Sequence, residues 1–600
     1  VKPKEAAVHA TQEGSISVIA STLTMLAVFL PLTMVSGTVG AFFNQLGWIV
    51  SIIMIVSTSA ALTLVPMMCS KMLKQDPGTH KWHQLLFKPI NSALDALSRG
   101  YGRLINWAVT HRAVVIVIAL IIFISTVMLT VPGMKTEYMP SMDMGRLSIS
   151  IELPVGTQED ITGQLAAELS EKYMREIPEL KIVNYNYGVA DEDNALASMN
   201  SNGTHILNMN LNLGRKTERN RSTQEIAELI RKDLKNNVLI KKYNVSEGMG
   251  MGSTTSVKLE IYGYDFNVSD RIAKDIAESM KNTDVISQVL ISRDEYTPEI
   301  HVDFDREKLM LNGINIATAS QYVRNRINGS IMSFFREDGD EYNIRVRYAP
   351  EFRTSIEDIE NIVLYGGAGQ AVRLSEVAKI VEGHTPPTIT RKDRERLVTI
   401  SGIVAKGYAL SDAVTIAQRC IDEADIPSEF LVKIAGDYED QQEAFSDMFM
   451  LIALIIILVY VVMASQFESL LDPFVIMFSV PFAITGVLIG IRVHGLAMGV
   501  MALIGVMILM GIVVKNGIVL IDYTRLCLER GMSINESVVT ASRQRLRPIL
   551  MTTLTTVLGM IPLAVGSGEG AEMWNGLGVV VAWGLSISTL ITLVLIPTLY

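Results

Sequence analysis

The stretch 496–521, LAMGVMALIGVMILMGIVVKNGIVLI, decides how the rest of the chain is read. As a helix it would extend about 39 Å, more than the roughly 30 Å hydrocarbon core of a bilayer. It carries one charge, Lys515, followed at once by Asn516. A cation at membrane depth costs on the order of several kcal/mol, so such a residue usually faces a partner or a water path. The alternative is snorkelling: Asp522 lies about 10 Å further along the axis, and a lysine stem covers part of that distance. Gly511 and Gly517 thin the helix around the pair and favour a buried, functional lysine.

The surrounding composition agrees with a membrane setting. The chain has 600 residues, of which 49% are hydrophobic and only 19% charged, and its mean hydropathy is +0.31. That is too apolar for an ordinary soluble protein of this size. A net charge of −10 without a basic run argues against a nucleic-acid partner. Cys69, Cys420 and Cys527 are far apart and give neither a disulfide framework nor a metal knuckle. The chain opens at Val1 in a polar, helix-like stretch with no signal peptide, which suggests a piece of something longer.

Eight apolar runs reach spanning length: about 15–35, 46–69, 113–131, 448–464, 473–491, 496–521, 548–566 and 576–600. Basic residues sort the loops. Lys71, Lys74, Lys81, Lys88, Arg99, Arg103 and Arg112 lie between the second and third runs, and Arg525, Arg530, Arg543, Arg545 and Arg547 between the sixth and seventh. The links 36–45 and 567–575 hold no lysine or arginine. Counting crossings puts both basic segments on the cytoplasmic side and the insert 133–447 outside. Residues 82–107 mix apolar and basic positions at helical spacing, as an interfacial amphipathic helix or a plain linker helix would.

The insert alternates strand and helix signals. Strands are expected at 147–156, 181–189 and 205–214 and from 241, with helices at 158–176 and 222–237. That βαββαβ order is the ferredoxin-like pattern. A second βαβ covers 256–293 and its complement 396–436, so 298–384 reads as an inserted subdomain. The expected organisation is a helix pair at 1–70, a cytoplasmic linker at 71–112 and a spanning helix at 113–132. A first outer module follows at 133–254, a second split between 255–297 and 385–443, the inserted piece at 298–384, and five spanning helices at 444–600.

Residues 5–66 align with 536–597 at a constant shift and without gaps. Identities include Thr22/Thr553, Thr24/Thr555, Pro31/Pro562, Gly37/Gly568, Asn44/Asn575, Gly47/Gly578, Thr58/Thr589 and Pro66/Pro597. Shared apolar composition matches leucines and valines; it does not place prolines, glycines and an asparagine in register. Both copies run out and back, so the repeat is parallel, and the counterpart of Lys515 is expected upstream of residue 1.

No acidic residue lies inside a spanning run; Asp447, Asp472 and Asp522 sit at their ends. A buried Lys515 then calls for an acid in the upstream helix, and a lysine facing carboxylates there is a proton-relay candidate. Thr552 and Thr556 share a face of the next helix and either bond across to Lys515 or water, or bond back to their own helix. Arg545 is either a relay member near the cytoplasmic mouth or a positive-inside anchor. His80 and His83 lack a third ligand, GSGEG at 566–570 lies in a turn, and Met249 and Met251 are soft-metal ligand types in a setting more often used for packing. No nucleophile–base pair or nucleotide loop is present, so an enzyme is not expected.

SVIASTLTMLAVFLPL (17–32), GIVVKNGIVLID (511–522) and RLRPILMTTLTTVLGMIPL (545–563) together resemble the resistance-nodulation-division (RND) efflux pumps of the hydrophobe/amphiphile branch, over essentially the whole chain as the C-terminal part of such a pump. The resemblance implies a polytopic, multi-pass inner-membrane antiporter of a Gram-negative bacterium with a large α+β periplasmic insert. It also implies a homotrimer working with a periplasmic adaptor and an outer-membrane channel on small amphiphilic substrates, driven by the proton gradient with no cofactor or metal. By the same resemblance, Lys515 pairs with two aspartates on a helix outside this chain, and Arg545 and Thr552 belong to the relay beside Lys515 and Asn516. The outer modules would be porter subdomains and 298–384 a docking subdomain. Residues 185–204, YNYGVADEDNALASMNSNGT, lack the phenylalanine-rich pocket of the best-known drug pumps, so substrate-binding residues are not carried over. The alternatives are the heavy-metal branch, for which Met249 and Met251 would be the reason, and a lipid-handling relative.

Overall fold

The computed structural model describes residues 3–35, 37–72, 81–189, 203–248, 254–293, 297–367, 369–385 and 388–600. Among them are eight helices long and apolar enough to cross a bilayer, in the places the apolar runs predicted. The chain begins with α1 (Pro3–Leu32) and α2 (Gly37–Met72), which pack as a hairpin. A Cβ on Gly47 would lie 2.9 Å from the Phe29 carbonyl oxygen, so only glycine lets the two backbones meet there. After α3 (Lys81–Thr110), the turn at His111 leads into α4 (Arg112–Thr130), whose valine and isoleucine side chains are largely exposed, as lipid-facing surface is.

The first outer module runs β1 (Arg146–Glu152), α5 (Glu159–Glu176), β2 (Leu180–Gly188), β3 (Gly203–Leu213), α6 (Thr223–Lys235) and β4 (Lys242–Glu247). Its sheet order is β2-β3-β1-β4, and each neighbour pair is antiparallel. Alternation in β1 buries Leu147, Ile149 and Ile151, with Ile149 opposite Met209 and Val245. Helix α6 starts on a Ser222–Glu225 capping box and turns Ile226, Ile230 and Leu234 onto that face. Each such aliphatic side chain contributes about 1.5–3 kcal/mol when fully buried.

The second module opens with β5 (Ser256–Tyr262), α7 (Phe266–Lys281) and β6 (Ile286–Ile291). Residues 292–398 then form a separate compact unit. It contains β7 (Thr297–Phe304), α8 (Arg306–Leu311), α9 (Ile316–Ile327), β8 (Ser330–Glu337) and β9 (Asp340–Val346). It goes on through α10 (Ile356–Glu360), β10 (Val363–Tyr365), β11 (Ala371–Arg373), α11 (Leu374–Val377), β12 (Ala378–Thr385) and β13 (Arg391–Lys392). β7 pairs with β12 around a core of Leu309, Leu364, Leu374 and Val377. The β8–β9 hairpin turns on Asp338 and Gly339, at φ 52° and 93°, the left-handed geometry that suits a two-residue hairpin loop. The second module closes with β14 (Glu395–Val404), α12 (Leu410–Glu423) and β15 (Leu431–Ala435). Its sheet, β6-β14-β5-β15, has the strand order of the first module.

The chain ends in α13 (Asp437–Phe467), α14 (Leu471–Met477), α15 (Ser479–His494), α16 (Val500–Glu529), α17 (Ile534–Ala564) and α18 (Glu572–Leu599). α14 and α15 share one span. Helix α16, with Lys515, is the hub: 72% of its apolar window is buried, against 6% for the window in α2. Glycines admit its neighbours. A Cβ on Gly505 would meet Val580 of α18 at 3.0 Å, one on Gly511 would meet Met25 and Val28 of α1 at 3.0 Å, and one on Gly517 would meet Ile476 of α14 at 2.8 Å.

Candidate functional site

Lys515 is half-buried two turns above Asp522. Among the described residues no carboxylate lies within ion-pairing distance of it, and no hydrogen bond reaches it. Asn516, the next residue, is differently placed. Its Nδ2 donates to Thr553 Oγ1 at 3.4 Å and to Thr589 Oγ1 at 3.3 Å, and the two hydroxyls are 3.3 Å apart. One amide thus gathers α16, α17 and α18 into a polar knot within an apolar bundle. The first repeat holds the matching hydroxyl pair, with Thr22 Oγ1 2.6 Å from Thr58 Oγ1 between α1 and α2. Gly578 repeats Gly47 as well: a Cβ there would lie 2.6 Å from the Ala564 amide nitrogen.

Thr552 is exposed and its hydroxyl donates to the Ile549 carbonyl at 2.9 Å, while Thr556 donates to the Thr552 carbonyl at 2.9 Å. Of the two alternatives left open for these threonines, the structure takes the bond back to the helix. Thr553, one residue on, points to Asn516, and neither it nor Thr589 was picked out by helical spacing. The signal lay in the repeat, where both align with a threonine. Arg545 places its guanidinium over the Tyr523 ring, 4.4 Å from the centroid, and its Nε is buried without a hydrogen-bond partner. Tyr523 in turn bonds Gln544 through its hydroxyl. A guanidinium on a ring face with a buried, unpartnered Nε has a donor free for an acceptor. Two turns before the end of α16, Asp522 accepts from Ser17 of α1 at 2.5 Å, tying the first hairpin to the hub.

Outside the bundle, a cavity of about 340 Å³ lies between β4 and β6, bordered by Lys235, Lys241, Lys242, Lys281 and Tyr243 with Leu290 among its apolar walls. Among the described residues no group of three or more histidine, cysteine or acidic side chains could hold a metal ion. His80, Met249, Met251 and most of 185–204 lie outside the described residues.

The sequence model of the AcrB/AcrD/AcrF family matches residues 1–600. The chain belongs to this family. Members of the AcrB/AcrD/AcrF family are RND transporters rather than enzymes, and with eight membrane-length apolar helices among its described residues the chain is a multi-pass membrane protein. It is 28% identical to the swarming motility protein SwrC of Bacillus subtilis (strain 168) over 99% of this chain and 55% of that protein. It is 27% identical to the multidrug resistance protein MdtC of Yersinia pestis bv. Antiqua (strain Angola) over 100% of this chain and 57% of that protein. The chain therefore spans about half the length of these relatives. In fold it resembles a crystallised heavy metal efflux pump, with a TM-score of 0.80 at 23% identity over 99% of this chain and 57% of the pump. A second crystal form gives 0.79 at 25% identity over 97% of this chain and 58% of the pump.

Proposed function

We propose that the chain is the C-terminal part of a proton-driven RND efflux transporter that exports hydrophobic or amphiphilic compounds. The observation that carries this reading is Lys515: a cation on the most enclosed helix, with no acid in reach among the described residues. In this reading its acids stand on the symmetry-related helix outside the chain, and protonating them releases the lysine from its ion pair. Asn516 holds the helix by its amide knot, Arg545 offers a guanidinium toward the cytoplasmic mouth, and Thr552 lines the exposed face of α17 that such a path would follow. The proton gradient is the energy source, without a cofactor.

The two outer modules read as ferredoxin-like porter subdomains, and the cavity bordered by four lysines is a place for cargo with an anionic or zwitterionic head. Residues 298–384 read as a docking subdomain: Phe334, Phe335 and Tyr342 on its β8–β9 hairpin are all more than half exposed, suited to a protein partner. A homotrimer in the inner membrane, joined by a periplasmic adaptor and an outer-membrane channel, completes the reading. The heavy-metal alternative rests on Met249 and Met251.

The deciding experiment uses the complete transporter in cells lacking other pumps. Lys515→Met is expected to abolish efflux while leaving assembly intact; unchanged dye accumulation would refute the relay. A panel of dyes, detergents and copper or silver salts separates amphiphile from metal export.

A further inference from the structure

Residues 135–138, between α4 and β1, are held from two sides. On one side is the entry to α16. The Met498 amide donates to the Lys135 carbonyl at 2.8 Å, the Glu137 amide to the Met498 carbonyl at 3.2 Å, and the Val500 amide to the Tyr138 carbonyl at 3.3 Å. On the other side is the entry to α12. There the Ser411 amide donates to the Thr136 carbonyl at 3.3 Å, the Thr136 amide to Ser411 Oγ at 3.2 Å and Lys135 Nζ to the Gly407 carbonyl at 2.7 Å. Just before Gly407, Lys406 pairs with Glu225 and its amide donates to Glu228 Oε1 at 3.1 Å, both on α6. An unbroken series of polar contacts therefore runs from the first turn of α16 into both outer modules.

Glu137 sits at the centre of this series. A Cβ on Gly499, the residue that caps α16, would lie 3.3 Å from Glu137 Cγ, so the glutamate side chain lies against the helix start. Burial pushes its carboxyl up to about 7. The charged and titratable groups on the neighbouring elements are Lys135, Asp412, Arg492 and His494, of which Arg492 is exposed in the last turn of α15. Lys135 lies 3.5 Å from Asp412, His494 accepts from Trp583 Nε1 at 3.1 Å, and residues 500–514 of α16 carry no charge.

We propose that residues 135–138 are a tether transmitting movement of the Lys515 helix to the outer modules, with Glu137 as its positioning residue. The inference rests on the proton-driven reading above. Lys515 and Val500 are about 22 Å apart on one continuous helix, so a shift at the lysine is carried to the tether as by a rod. A neutral Glu137 stays packed against Gly499, whereas an ionised one draws water and loosens the joint. The tether is firm below neutral pH and slack above it.

The test uses the complete transporter in proteoliposomes, at a fixed imposed proton gradient and varied bath pH. Wild-type efflux should fall about tenfold from pH 6 to pH 8, following the protonated fraction of a group titrating near 7. Glu137→Gln, which stays neutral, should fall less than twofold. A Thr136→Cys, Ser411→Cys pair should transport equally when oxidised and when reduced, because tether and α12 move together. A wild-type pH profile in Glu137→Gln, or an oxidised cross-link that stops transport, overturns the tether alone. Absence of gradient-driven efflux in the wild type overturns the proton-driven reading and the tether with it.

Discussion

Asn516 reaches Thr589 at 3.3 Å across the bundle, while Lys515, its neighbour in sequence, reaches no acid among the described residues. The amide anchors the helix and the ammonium is left to respond. Removing the anchor separates the two effects. Asn516→Leu should lower stability by about 1 kcal/mol, the worth of a modest hydrogen bond in a membrane interior. In a double-mutant cycle with Thr589→Val the two losses should not add, since both remove the same contact. Thermal unfolding of the purified transporter reads both numbers, and strict additivity would show that the knot is incidental.

Arg545 depends on a ring rather than on a carboxylate. Tyr523→Phe keeps the ring face and should leave transport near wild type. Tyr523→Leu removes an interaction of about 0.5–2 kcal/mol and should cut efflux several-fold. Equal rates in the two variants would mean that the stacking does not matter.

Within the first outer module, Arg231 and Glu247 are both buried at 3.5 Å. Burial drives the arginine down and the carboxyl up from their ordinary ranges, so neither tolerates losing the other. Arg231→Ala strands a buried carboxyl and should cost about 3–5 kcal/mol, whereas Arg231→Met with Glu247→Leu should be close to neutral. Limited proteolysis of the outer segment ranks the variants.

Glu179 accepts two bonds from Arg221, at 2.9 Å from Nε and 2.5 Å from Nη2. This fork holds its carboxyl at about 2 instead of the ordinary 4.5. A depressed carboxyl stabilises the fold fully above its unfolded value and loses that contribution as pH falls through its folded one. The module should therefore weaken between about pH 4.5 and pH 2, and Arg221→Ala should move the acid-unfolding midpoint upward. An unmoved midpoint in hydrogen exchange would show that the fork carries no stability.

The membrane-length helices among the described residues were legible because each is a long apolar run, and the repeat could be read because prolines and glycines do not fall into register by composition. The site was harder. Thr552 attracted notice by its spacing from Thr556, but helical spacing says which residues share a face and not which face meets α16. Thr553 and Thr589 were visible only as repeat identities, and a paired hydroxyl gives no signal until its partner helix is in place. Glu137 was invisible for another reason: a lone acid in a short connector looks solvated until the fold encloses it.

The glycines at 47 and 578 have a kinematic consequence. Where backbone rests on backbone, two helices cannot slide past each other without opening the seam, so α1 with α2 and α17 with α18 each behave as one solid lever. Helix α16 lies between these levers, touching one at Gly511 and the other at Gly505. A movement of one lever relative to the other would have to pass through α16, the helix that carries Lys515.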